Sequence, residues 1–345
     1  MCGVENVRQQ LFKNMDNITQ SMDLHKGLVS ALSRLPAEIL SQIYVDCLPE
    51  THHLLPTPTQ APMLLTQICR RWREVALDTP SLWCRLSVRV NHTDWQRAVL
   101  CCDSWLKRSR GCLLSLTLEY HTNSDSAKLQ NLLQPYINQI STLDIDFVGN
   151  IDEFGLVLED LPALQKLTLI RYGVNTPHQL ISRLPHSLHT LNRKMGWSPL
   201  DHIFLFNSPW PHLTDVDLVV CLSDTFLRVL QLCPNLSSFR MNCFSPEPYG
   251  PEVLTPFTHT RLGHLDIHFA IWVPHTLPDL FDVLSLPGLR VFAIDRVRSW
   301  PHEKFKAFLA RSSCPLERLI IGTEELEEYV DLIPSLKSDS APSAS

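Results

Sequence analysis

Apolar residues recur along the chain at three different spacings, and each spacing predicts a different kind of element. Val4, Val7, Leu11, Met15, Ile18 and Met22 are separated by 3, 4, 4, 3 and 4 residues, the period of a helix with one apolar stripe. Such a stripe either packs onto its own chain or pairs with a second helix. A strict heptad pairing would place Asn14 and Ser21 at core positions. Leu35, Ile39, Leu40, Ile43 and Tyr44 then repeat at helical spacing around Pro36, a residue suited to the start of a helix. A polar stretch with Pro49, Pro56, Pro58 and Pro62 reads as a loop. A second amphipathic run, from Leu64, Leu65, Ile68 and Cys69 to Trp72, Val75 and Ala76, leads through Asp78-Thr79-Pro80 to Leu82-Trp83.

Beyond residue 112 the spacing changes to a repeated L-x-x-L-x-L unit. It appears as Leu113-Leu116-Leu118, Ile140-Leu143-Ile145, Leu164-Leu167-Leu169, Leu213-Val216-Leu218 and Leu236-Phe239-Met241. Leu262-Leu265-Ile267, Leu289-Phe292-Ile294 and Leu316-Leu319-Ile321 continue it, and a degenerate copy, Leu188-Leu191, carries Arg193 in the third apolar position. The central residues fall 27, 24, 24, 25, 23, 26, 27 and 27 positions apart, inside the period of leucine-rich repeats. Capped helical stretches lie between the units: AKLQNLLQPYINQ behind Ser124-Asp125, TFLRVLQLC behind Ser223-Asp224, and HEKFKAFLARS behind Ser299 and Pro301. Leu-Pro or Cys-Pro pairs, such as Leu161-Pro162 and Cys233-Pro234, end one helix and force an extended approach to the next strand. One strand and one helix cannot bury an apolar face alone, so the units must stack. The regular Asn ladder is mostly missing, which predicts an irregular solenoid with parallel strands on its concave face and helices on its convex face.

Composition narrows the function classes. Of 345 residues 57 are Leu and only 11 are Gly, against a typical Gly share of about 7%. This favours a packed scaffold over phosphate-cradling loops. With 44% hydrophobic and 19% charged residues and a net charge of −6, the chain is neither disordered nor a bulk polyanion binder. The eleven Cys form no CxxC pair and no zinc-finger spacing, which points to reduced, mostly buried thiols and a soluble intracellular protein, cytoplasmic or nuclear. There is no secretory-type leader pattern and no 18-residue apolar run.

The motifs LPAEILSQIYVDCLP and ICRRWREVALDTPSLW resemble the F-box, and the inserted loop and the stretch up to WLKRSRG are similar to F-box proteins of mushroom-forming (basidiomycete) fungi. The resemblance covers about residues 1–115 closely and the repeats only in architecture; with the repeat pattern and the apolar stripe it gives an α/β architecture of an N-terminal helix (1–34), a small all-α F-box (35–86), a connecting helical segment (87–112), a leucine-rich-repeat-like solenoid (113–337) and a disordered tail (338–345). It also implies a substrate adaptor of an SCF-type ubiquitin ligase, docked on a Skp1-like adaptor and through it on a cullin–RING ligase. The matching Skp1-binding positions are Leu35, Pro36, Ile39, Leu40, Ile43, Ile68, Cys69, Trp72 and Trp83. Each of these can instead pack inside the small helical domain, and for Trp72 and Trp83 the sequence does not choose between the two. The loop from Pro49 to Pro62 is long for an F-box, which loosens the register of the second helix.

The chain has no G-x-S-x-G, phosphate-loop, dinucleotide or H-E-x-x-H motif. His186 with His189, and His264 with His268, have spacings that could share a metal but lack a third neighbouring ligand. The expectation is a non-enzyme with no cofactor or metal and no nucleic-acid or membrane partner. Between the core leucines the polar side chains would line the concave sheet. Glu119, Asp144, Asp146, Arg171, Asp217, Arg240, Asp266, His268 and Asp295 are the candidate target-binding residues, beside Thr117, Thr168, Asn242 and Arg296. Their carboxylates outnumber their cations, so they form either a merely solvated face or a site for a basic or mixed-charge protein target. A scaffold that binds Skp1 or other partners without directing ubiquitination is the alternative function.

Overall fold

The computed structural model describes residues 2–27, 35–49, 54–90, 95–121, 126–148, 156–171, 184–194, 210–220, 223–243, 255–269, 277–295, 300–321 and 329. Arg296 and the stretch 338–345 lie outside these described residues. The chain divides into two units: residues 1–51 with 56–83, and residues 52–55 with 84–345.

Among its described residues the first unit is helical. It holds α1 (Cys2–Gly27), α2 (Ala37–Asp46), α3 (Leu65–Ile68), α4 (Arg70–Leu77) and a 3₁₀ turn at Pro80–Trp83. Its interior is small: Leu40, Tyr44, Ala76, Leu82 and Trp83 are fully buried. The second amphipathic run is not one helix. Cys69 adopts an extended conformation (φ −154°, ψ 172°), which splits α3 from α4, and its Sγ caps α4 by accepting from the Trp72 backbone N–H at 3.5 Å. The Arg73 side chain bridges the break, donating from Nε to the Thr66 carbonyl at 2.7 Å. The Trp83 indole N–H donates to the Ala76 carbonyl at 2.9 Å, which satisfies the one polar atom of a buried ring. The Tyr44 and Trp72 rings meet at 5.1 Å and tie α2 to α4.

The second unit is mixed α/β. It begins with β1 (Arg85–Val90), α5 (Trp95–Arg108), β2 (Leu114–His121), α6 (Ser126–Leu133), β3 (Ile140–Val148), β4 (Lys166–Ile170), β5 (Thr190–Lys194) and β6 (Asp215–Val220). It continues with α7 (Ser223–Leu232), β7 (Ser238–Cys243), β8 (Phe257–Thr258), β9 (His264–Phe269), α8 (Leu277–Val283), β10 (Leu284–Ser285), β11 (Val291–Asp295), α9 (His302–Ser312) and β12 (Arg318–Ile321). Ten strands form one open parallel sheet in the order β1-β2-β3-β4-β5-β6-β7-β9-β11-β12, and β8 pairs with β10 as a separate two-stranded piece. Parallel neighbours need a return connection across the sheet, and α5, α6, α7, α8 and α9 lie in five of these connections.

The nine central positions of the sequence pattern form one row. Leu116, Leu143, Leu167, Leu191, Val216, Phe239, Leu265, Phe292 and Leu319 are register partners from strand to strand, and Leu86 of β1 extends the row. All ten are buried. A second row precedes the strands, where backbone N–H groups donate to the carbonyl one unit back. The links run Gln165 to Ser141, His189 to Gln165, Thr214 to His189, Ser237 to Thr214, Gly263 to Ser237, Arg290 to Gly263 and Glu317 to Arg290, at 2.7–2.9 Å. Gly288 sits where a Cβ would come 2.6 Å from the Thr260 carbonyl oxygen, so this turn between β10 and β11 needs a glycine.

Three placements depart from the sequence pattern. Leu113 is 56% exposed and Leu114 takes the buried position instead, because the β2–β3 register shifts between Leu114 and Ser115. The expected helical connection 87–112 contains most of β1, whose Leu86 and Val88 alternate with polar residues. Arg193 occupies the core position expected for an apolar residue: it is only 2% exposed and is the register partner of Leu169.

The shift predicts an asymmetry between adjacent leucines. Leu114→Ala should lower unfolding stability by about 2–5 kcal/mol, whereas Leu113→Ala should change it by less than about 0.5 kcal/mol. Urea denaturation of the two variants measures this, and equal losses would place the pattern at Leu113 after all.

Candidate interaction surfaces

The first candidate surface lies on the small helical unit. Its interior is filled by Leu40, Tyr44, Ala76, Leu82 and Trp83, which leaves a set of apolar residues outside it. Ile39 is 49% exposed, Ile68 52% and Leu64 44%; Pro36 and Cys69 are also exposed, and Leu35, Ile43 and Trp72 are half-buried. Pro36, Ile39 and Ile43 are three and four apart and share one face of α2 and its approach. The Arg71 guanidinium donates to the Leu35 carbonyl, joining the start of α4 to the approach of α2. Two of the expected docking residues belong elsewhere. Leu40 and Trp83 have no exposed surface, so they build the unit's own core and cannot touch a partner directly. Leu64 was not among the expected residues, although it opens the same amphipathic run and could have been read from it.

The second candidate surface is the face of the sheet opposite the buried row. Side chains alternate along a strand, so the residues following the central positions share one face. The sheet register lines up Thr117, Asp144, Thr168, Asn192, Asp217, Arg240 and Asp266 in one row. Two residues further along the strands, Arg89, Glu119 and Asp146 are register partners, as are Asn242, His268 and Asp295. The structure therefore brings the expected residues together in rows, Asn242 among them, and it adds Arg89 and Asn192. Arg89 was missed because β1 lacks the L-x-x-L-x-L unit; the alternation of Leu86 and Val88 was the available signal.

The rows are largely paired internally. Arg89 Nε lies 2.9 Å from Glu119 Oε2, and His121 Nε2 lies 3.2 Å from the other Glu119 oxygen. Arg171 makes a bidentate contact with Asp146 at 2.7 and 2.5 Å, its backbone held in the left-handed region (φ 51°). Such a conformation is costly for a residue with a Cβ. Further along, Asn242 donates to Asp217 at 3.1 Å, and Arg240 lies 3.8 Å from Asp217 and 3.0 Å from Asp266. His268 completes the chain, its Nδ1 3.0 Å from Asp295 and its Nε2 3.1 Å from Asp266. The contact with Asp266 is close enough for an ion pair but off the line of a hydrogen bond, so that oxygen is incompletely satisfied. Asp144 differs from the rest: its Oδ1 is buried without a hydrogen-bond partner among the described residues. The acidic excess read from the sequence is thus mostly neutralised by neighbouring strands, and the face is mixed in charge rather than simply acidic.

Burial and neighbouring charges shift two groups in this network. Burial alone would lower the His268 pKa, but the Asp295 and Asp266 carboxylates outweigh it and raise it above the ordinary histidine value. Burial raises Asp217 above the usual carboxylate range, against the opposing pull of Arg240, Lys194 and His268. Elsewhere, His186 and His212 meet edge to face at 5.6 Å, and burial, then His186 and His189, lower the His212 pKa. Among the described residues no group of three or more His, Cys, Asp or Glu is arranged to hold a metal, and no helix is long and apolar enough to cross a membrane.

A histidine whose folded pKa is raised stabilises the fold fully below its unfolded pKa of about 6.5, and that stability is lost as pH rises through the folded value. Thermal unfolding followed between pH 5.5 and 8.5 should therefore show the wild-type chain losing stability relative to His268→Gln as pH rises; parallel profiles would exclude an ion-paired His268. Compared with known proteins, the chain matches no protein-family model and no curated protein.

Proposed function

We propose that the chain is a non-catalytic adaptor with an F-box-like docking unit and a leucine-rich-repeat-like solenoid. In this reading the helical unit docks on a Skp1-like partner of an SCF-type cullin–RING ubiquitin ligase, and the polar face of the repeats holds a target protein. The observation that carries it is the exposure of Pro36, Ile39, Ile68 and Cys69 beside the fully buried Leu40, Tyr44, Ala76, Leu82 and Trp83, within motifs that resemble the F-box. Exposed apolar side chains beside a filled core are what a helical partner surface would cover. Leu40 and Trp83 then act indirectly, by holding α2 and the 3₁₀ turn in place.

The sheet face suits a protein target for a related reason. A run of paired charges with half-satisfied carboxylates at Asp144 and Asp266 offers directional contacts for another protein surface. The charge mixture favours a target surface that is itself mixed rather than strongly basic. In this role the adaptor's contribution to ubiquitin transfer is proximity, with the chemistry carried out by an enzyme bound elsewhere on the ligase. The proposed location is the cytoplasm or nucleus, where such ligases act. A scaffold that binds the same partner without directing ubiquitination uses the same docking face, and ligase-dependent turnover of a bound target separates the two readings.

Binding of the purified chain to a Skp1-like adaptor, measured by calorimetry, tests docking. Ile39→Asp with Ile68→Asp should weaken binding at least about a hundredfold while leaving thermal unfolding within about 2 °C of wild type. Trp83→Ala should instead lower stability by about 3–5 kcal/mol. Undiminished binding by the double variant would remove the F-box reading. For the sheet face, Asp144→Asn with Arg171→Glu should abolish proximity labelling of targets in proteasome-inhibited cells and spare adaptor binding; unchanged labelling would leave the face without a capture role.

A further inference from the structure

Among the described residues nothing covers the apolar stripe of α1. Val7, Leu11, Met15, Ile18 and Met22 are between 53% and 62% exposed, and Phe12 beside them is 56% exposed beneath the Arg8 guanidinium. We infer that α1 pairs with α1 of a second copy of this chain, so that the protein is a dimer joined through its N-terminal helices.

Four observations select this occupant. The spacing 3, 4, 4 repeats after eleven residues, so Val4, Val7 and Leu11 recur as Met15, Ile18 and Met22. An eleven-residue period is about 3.67 residues per turn, which keeps the stripe in line on nearly straight helices with a slight right-handed supercoil. Asn14 and Ser21, which a heptad would force into the core, flank the seam in this arrangement. Second, the stripe reads almost the same in both directions about Lys13. An antiparallel copy sets Val4 against Met22 and Leu11 against Met15, with Val7 close to Ile18, and aligns the two helix dipoles favourably.

Third, charge does not oppose self-pairing. Within α1, Glu5, Asp16 and Asp23 balance Arg8, Lys13 and Lys26, and one flank of the stripe is uncharged at Gln10, Asn14, Asn17 and Ser21. A helix lying on an anionic membrane would instead carry a cationic polar face. Fourth, five or six side chains each exposing about 100 Å² give roughly 1,000 Å² buried by a pair, the lower limit for a specific interface. A 26-residue helix exposed on all sides along its described side chains also gains from a partner, because isolated helices draw little stability from propensity alone.

Sedimentation velocity of the full chain over roughly two decades of concentration spanning the micromolar range tests this. The wild-type chain should pass from monomer to dimer as concentration rises. Leu11→Asp with Ile18→Asp should raise the dissociation constant at least about tenfold, whereas Gln9→Asp with Gln20→Asp, on the opposite face, should leave it unchanged. Removing residues 1–27 should also give a monomer, with the thermal transition of the remaining units intact. A wild-type chain that stays monomeric throughout, a dimer that survives both the Asp substitutions and the truncation, or a monomer that floats with phospholipid vesicles would each overturn the inference.

Discussion

The sheet depends on one constraint, the alignment of a single apolar residue from each of ten strands into a continuous row. From Leu86 to Leu319 that row is buried, and the residues immediately after it face the other way. Because side chains alternate with a period of two, a slip of one residue would turn Asp217, Arg240 and Asp266 into the apolar layer and Val216, Phe239 and Leu265 out of it. A charge set among apolar side chains costs several kcal/mol, and each large apolar side chain removed from them forfeits about 2 kcal/mol. The register is therefore fixed from both faces. The backbone row from Ser141 to Glu317 repeats the same unit-to-unit spacing just outside the strands.

Much of this was legible in the sequence, because periodicity is a direct imprint of burial. The L-x-x-L-x-L pattern located nine strands of the large sheet, from β2 to β12 without β8 and β10, and its central residues lie in the buried row. What escaped it has local causes. Leu113 and Leu114 are both leucines, and only the register shift against β3 decides which one is buried. The strand β1 lies outside the repeat pattern and shows itself only by alternation. Arg193 breaks the pattern and is buried nonetheless, an override of local preference by neighbouring strands. In the helical unit, a run that reads as one amphipathic helix is two, since an extended Cys69 is not visible in hydrophobic spacing.

Charge was harder to read than burial. Residue types along the strands show an excess of carboxylates, but an interaction between Asp146 and Arg171, or between Asp217, Arg240 and Asp266, joins residues about 25 positions apart and depends on the register. Once aligned, the face is a set of mutually paired charges in which His268 bridges two carboxylates. Its charges are largely paired within the molecule, which leaves the under-satisfied oxygens of Asp144 and Asp266 as the polar atoms open to a further contact. The helical unit shows the reverse: its few buried residues are almost all apolar, and further apolar side chains, Ile39, Leu64 and Ile68, are exposed.

Hydrogen–deuterium exchange of the full chain, alone and with a Skp1-like adaptor, tests the central assignment most directly, since it reads docking and sheet in one experiment. Added protection is expected over residues 35–43 and 64–72 on binding, with the slow exchange of the strands of the large sheet unchanged. Protection confined to the sheet, or no protection in the helical unit, would contradict it.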